Sequence, residues 1–86
     1  MPEISRFFGI IIAMYYNDHA PPHFHARYGA QKAVIDIETL AVIEGALSPR
    51  ALGMVTEWAA QHRDELREDW RLARQHDTLK AIAPLE

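Results

Sequence analysis

Three of the five histidines fall within one short stretch, Asp18-His19-Ala20-Pro21-Pro22-His23-Phe24-His25-Ala26-Arg27-Tyr28. Imidazole changes charge near neutral pH and is the commonest metal-binding side chain, so the chemistry of this chain concentrates here. His23 and His25 are one residue apart, which on a strand turns both rings to the same face. Two imidazoles so placed could hold one divalent ion, zinc or another. Zinc needs three or four ligands in a near-tetrahedral set. Asp36, expected opposite His23, is the candidate third ligand or hydrogen-bond acceptor, and His19 or Asp18 could complete the set from the loop. Without a metal, the same two imidazoles could act as base and acid on RNA, with Arg27 and Lys32 holding a phosphate. A structural reading competes with both. In it His19, Pro21 and Pro22 shape a turn, and His23 and His25 pair with Asp36 or contact a partner.

The elements that would position these groups follow from periodicity. Phe7 to Tyr16 is apolar on both alternating faces and reads as one central strand covered on both sides. A helix can cover one side; the other calls for a further layer such as a second subunit. Asn17 to Pro22 is a loop of turn formers whose prolines donate no backbone hydrogen bond. His23–Tyr28 and Gln31–Glu38 then form a hairpin around Gly29-Ala30. In that register His23 faces Asp36, His25 faces Val34 and Arg27 faces Lys32. Phe24, Ala26, Tyr28, Ala33, Ile35 and Ile37 share the core face, while His23, His25, Arg27, Lys32, Val34 and Asp36 share the other. Arg27 beside Lys32 is an unfavourable like-charge pair, either splayed into solvent or set to meet an anion.

Ala41 to Glu44 reads as a short fourth strand with Gly45 as its breaker. Ser48-Pro49 is a helix start, Ser as N-cap and Pro at the first helical position. Leu52, Val55, Ala59, Leu66, Trp70 and Ala73 recur at steps of three and four, with Trp58 and Met54 flanking the stripe. A continuous helix to about Gln75 would be about 40 Å long, so a break near His62 to Asp64 is one outcome and projection onto a partner the other. His62 is expected to be partly buried and hydrogen-bonded. Leu79, Ile82 and Leu85 can tuck the tail back. The predicted fold class is α+β: a mainly antiparallel sheet of three or four strands, followed by one long or broken α-helix packed on it.

The chain has 86 residues and is read as one domain over residues 1–86. It has no cysteine, which excludes disulfides and thiolate metal sites. The net charge of −3 opposes a broad grip on nucleic acid without excluding a local basic patch. The apolar run is about half the ~20 residues a membrane helix needs, and a cytoplasmic protein without a membrane span is expected.

Pro2-Glu3-Ile4-Ser5-Arg6-Phe7-Phe8-Gly9-Ile10, Met14-Tyr15-Tyr16-Asn17-Asp18-His19, Pro21-Pro22-His23-Phe24-His25-Ala26 and the Trp58 to Trp70 segment together resemble a small bacterial family of unknown function. That family is recognised by its Asp-His-x-Pro-Pro-His-Phe-His segment. The resemblance implies a two-gene, toxin–antitoxin-like setting, with a partner protein encoded by a neighbouring gene, and no catalytic residue carries over from it. The leading expectation is a regulatory or protein-interaction component, dimeric with its own copy. The alternative is a metal-binding or nuclease-like protein using His23, His25 and Asp36.

Overall fold

The apolar run from Phe7 to Tyr16 does not form a single strand. Phe8 and Gly9 both adopt positive φ, 49° and 81°. Two such residues in succession make the tight turn whose twist matches a hairpin. The chain reverses there, and Phe7 pairs with Ile10. The polar lead-in is therefore an edge strand, with Ile4 and Phe7 buried and Phe8 left 62% exposed at the tip.

The computed structural model describes residues 2–86. In chain order these form β1 Glu3–Phe7, β2 Ile10–Ala13, β3 His23–Tyr28, β4 Gln31–Asp36, β5 Val42–Ala46, α1 Pro49–Gln61 and α2 Arg63–Arg74. The strands make one antiparallel sheet in the order β1-β2-β3-β4-β5. The fold class is α+β as expected, with five strands where three or four were counted and two helices where one was.

The β3–β4 hairpin has the expected register, from His23 opposite Asp36 to Tyr28 opposite Gln31. Phe24, Ala26, Ala33, Ile35 and Ile37 are buried on the core face. Tyr28, assigned to that face, emerges into solvent beside the turn. Gly45 does not end the last strand but sits inside it. It opposes Ala33 with φ 77°, and a Cβ there would lie 2.2 Å from the Lys32 carbonyl oxygen. Only glycine lets β5 approach β4 so closely.

Ser48 caps α1, its hydroxyl accepting from the Ala51 amide at 3.3 Å, with Pro49 as the first helical residue. The helix breaks at His62, where φ is −125° and ψ is 24°, and His62 bonds Glu65 in the first turn of α2. Two helices of 13 and 12 residues can both lie against the sheet, where one rod would overhang it. Trp58 is central to the core rather than flanking it. It is fully buried against Phe7 and Phe24, with ring centroids 5.4 Å and 5.9 Å away. Its indole N–H donates to the Ala83 carbonyl at 2.8 Å.

That bond is one of three that fasten the tail. The Ile82 amide donates to the Ile4 carbonyl at 2.8 Å, and the Lys80 amide to Asp69 Oδ1 at 2.8 Å. Ile82 is buried, and Leu79 and Leu85 pack against the core, as the apolar spacing of the tail implied. Asp69 is fully buried and its Oδ2 has no hydrogen-bond partner. The opposite face of the sheet carries no second layer among the described residues.

Two predictions follow from this packing. Phe8→Asn places a residue that tolerates positive φ at the hairpin tip, where little side-chain burial is lost. It is expected to stabilise the fold by about 1 kcal/mol, a rise of about 4–8 °C in melting temperature for a domain of this size. Asp69 carries a raised pKa because burial disfavours its charged form, against the Lys80 amide and charge. Its contribution is therefore fully present below the ordinary carboxylate pKa of about 3.9 and is lost as pH rises through the raised folded value. Asp69→Asn should gain melting temperature over the parent at pH 7, and that gain should shrink toward pH 4.

Candidate functional site

β3 begins at His23, and its pleat puts His23 and His25 on one face with ring centroids 5.3 Å apart. The loop before the strand folds back over that face. Asn17 turns the chain with φ 56° and donates its amide to Ala73 of α2 at 3.4 Å. At the other end of the loop the Pro22 carbonyl accepts from Ile37 at 3.0 Å, and the Ala20–Pro21 peptide is cis. Between these anchors Asp18 is brought to both rings. Its Oδ2 lies 2.8 Å from His23 Nε2 and 3.5 Å from His25 Nε2. The opposite ring nitrogen of His23, Nδ1, is 2.6 Å from the Pro21 carbonyl.

Aromatic walls fix the rings. Trp70 of α2 lies against His23 at 5.0 Å, and Tyr15 stands edge-on to His25 at 4.4 Å. The His23 side chain is 8% exposed, Asp18 19% and His25 30%. Burial would push the Asp18 carboxyl up. The hydrogen bond from His23, the His19 amide, the His23 charge and the His25 contact outweigh it and hold Asp18 below the usual carboxylate range. Burial also lowers the pKa of His25, the His23 charge adding to it against the pull of Asp18. His25 is thus biased toward the neutral ring, and its Nε2 is buried with no hydrogen-bond partner.

One donor atom each from Asp18, His23 and His25 lie within 4.8 Å of one another. This is a two-histidine, one-carboxylate set, a composition that leaves coordination positions open on a bound ion. Asp36 does oppose His23 in the register, but its Oδ1 accepts from the Glu38 and Thr39 amides at 2.7 Å and 2.9 Å. That carboxylate closes the turn after β4, and Asp18 takes the third place. The His19 side chain is 93% exposed, but its Nδ1 lies 3.3 Å from Asp18 Oδ1 and its amide donates to the same oxygen at 2.9 Å. Arg27 and Lys32 oppose each other farther along the same sheet face. They line a hollow of about 280 Å³ with Ile11, Tyr15, His25 and Val34.

Sequence reasoning missed three contributors. Trp70 sat on a helical apolar stripe that signals core alone. Tyr15 was read as part of a strand, and Glu44, which borders both the hollow and the histidine site, as part of an unremarked strand. None carries a local signal of its role, because each reaches the site through tertiary packing.

A family model described as a domain of unknown function (DUF4160) matches residues 9–71, a span that includes the whole Asp18–His25 segment. No curated protein and no solved structure matches the chain. No helix among the described residues is long and apolar enough to cross a membrane.

The geometry separates Asp18 from its neighbour. Asp18→Ala strands the buried His23 Nε2 and should cost about 1–3 kcal/mol. His19→Ala removes an exposed side chain and should stay within about 0.5 kcal/mol of the parent. Urea unfolding of the two variants measures both.

Proposed function

Because the chain belongs to DUF4160, a family of unknown function, its role rests on the chemistry of its site, and we propose that it binds a divalent metal ion, zinc or a similar transition metal, through Asp18, His23 and His25. One observation carries this reading. Both ring nitrogens of His23 face oxygen acceptors, the Pro21 carbonyl at 2.6 Å and the Asp18 carboxylate at 2.8 Å. A carbonyl only accepts, so Nδ1 donates to it, and Nε2 faces the carboxylate either as the second N–H of an imidazolium or through a metal ion held between them. A bound ion would take the place of the Nε2 proton there. A metal-ligating histidine characteristically donates its other N–H to a backbone carbonyl, which fixes the tautomer.

Two ligands about 2.0–2.1 Å from a tetrahedral zinc lie about 3.4 Å apart. The Asp18 oxygen stands 3.5 Å from His25 Nε2, which matches, and 2.8 Å from His23 Nε2, a direct hydrogen bond that an entering ion would open. Three protein ligands leave a place for water, whose pKa a bound zinc lowers to about 7. The hydrolytic, nuclease-like alternative read from the sequence is consistent with such a site, with Asp18 in place of Asp36.

The regulatory, protein-interaction reading has a separate observation in its favour. β5 is an edge strand exposed along its whole length, with Val42 and Ile43 offering apolar surface. An open edge suits strand addition, either by a second copy in a homodimer or by a partner protein from a neighbouring gene.

Metal content of untagged protein, followed by zinc titration at neutral pH, tests the metal reading. About one equivalent is expected in the parent and loss of it in Asp18→Ala, His23→Ala and His25→Ala. Saturating metal at 100 times Kd should add about 2.7 kcal/mol of stability. No uptake of zinc, manganese, iron or nickel would overturn the proposal and leave a proton as the bridging cation.

A further inference from the structure

We infer that the helix-free face of the sheet, beside the proposed metal site, binds a small phosphate monoester bearing an apolar or aromatic group, of the nucleoside monophosphate class. The inference deepens the metal reading by naming what the site would act beside, and it rests on three features of the groove.

The first is its cations. Arg27 and Lys32 face each other across β3 and β4. Like charges directly opposite destabilise a strand pair, yet neither side chain has a hydrogen bond or ion pair among the described residues. The Glu3 carboxylate, whose charge reaches Arg27, is engaged by Arg6 at 2.7 Å. Glu44 also lines this hollow, with no ion pair to either cation among the described residues, and its charge acts on His25. Two cations without a carboxylate partner, one a planar guanidinium, match the oxygens of a phosphate.

The second is continuity with the histidines. Arg27 follows His25 by two residues on β3, so the two share a face about 7 Å apart. The hollow at Arg27 and Lys32, about 280 Å³, and the hollow over Asp18 and His23, about 340 Å³, share His25, Val34 and Glu44 as walls. A phosphate seated on Arg27 and Lys32 would lie on the same sheet face as Asp18, His23 and His25, the residues that would hold the ion. That ion would offset the Asp18 charge.

The third is the floor. Ile11, Ala13 and Val34 form an apolar base, with Tyr15 at the side. An apolar or aromatic group can lie on it, which a bare sugar phosphate would not use. The groove suits a small ester rather than a polymer. Arg27 and Lys32 are the cations that line it, Glu44 lines it with them, the Glu3 charge reaches Arg27, and the chain carries a net charge of −3.

The test is calorimetric titration of the full chain with adenosine monophosphate, adenosine and inorganic phosphate, each with zinc and with chelator. The parent is compared with Arg27→Gln/Lys32→Gln and with His25→Ala, folding being checked by circular dichroism. Adenosine monophosphate is expected to bind, with affinity reduced about tenfold or more in the double variant and reduced by added salt. Inorganic phosphate should bind more weakly and compete, and adenosine alone should not bind. Equal affinity in the double variant, equal binding of adenosine, or no binding of the monophosphate with or without zinc would each overturn the inference. Binding that survives chelation and still needs Arg27 and Lys32 upholds the anion site while the metal reading fails. Stoichiometric zinc uptake without monophosphate binding does the reverse. If the double variant does not fold, Arg27→Lys, which keeps the charge and loses the planar fork, should lower affinity severalfold.

Discussion

Trp58 is the contact on which both layers of this fold depend. Its ring fills the space between the helices and the sheet, touching Phe7 of β1 and Phe24 of β3. Removing a buried tryptophan typically costs about 3–5 kcal/mol, a large share of the stability of a small domain. Burial of the ring also creates an obligation, because an indole N–H taken from water needs an acceptor. The Ala83 carbonyl meets it, so the tail is part of the core. The break at His62 completes the arrangement. It turns α2 so that Leu66, Trp70 and Ala73 extend the buried layer, and Trp70 then reaches His23. The packing that closes the core therefore also builds one wall of the candidate site.

How much of this was legible follows from how local each determinant is. The β3–β4 register could be read because Gly29 permits a two-residue loop and a one-residue slip would exchange the faces. The pairing of His23 with His25 followed from the strand period alone. The Phe8–Gly9 turn was hidden, because an aromatic residue at positive φ within an apolar run looks like strand. Gly45 reads as a breaker until the backbone of β4 is seen close behind it. Asp18 is the most instructive case. Its position depends on hydrogen bonds from Asn17 to Ala73 and from Ile37 to Pro22, neither of which has a sequence signature. Asp36 was placed correctly in register, but the amides of Glu38 and Thr39 claim its carboxylate.

Net charge is a poor guide to the faces of this molecule. Two of the helix arginines are paired close to home: Arg67 with Glu38 and Asp64, and Arg71 with Glu68. Exposed pairs of this kind add little stability, but they remove those cations from the field that a ligand meets. On the helix-free face Arg27 and Lys32 have no such carboxylate partner. An acidic chain thus presents a cationic pair on the same hairpin as the histidines.

The strap joins Ile82 to Ile4, residues far apart in sequence. A contact of such separation cannot form early, because the loop it closes is long. During synthesis at about 5–20 residues per second, the sheet and α1 emerge before the segment that satisfies Trp58. For that interval the nascent chain carries an unpaired indole and an open seam beside β1. Docking of the segment around Ile82 is then the event that closes that seam and gives the indole its acceptor.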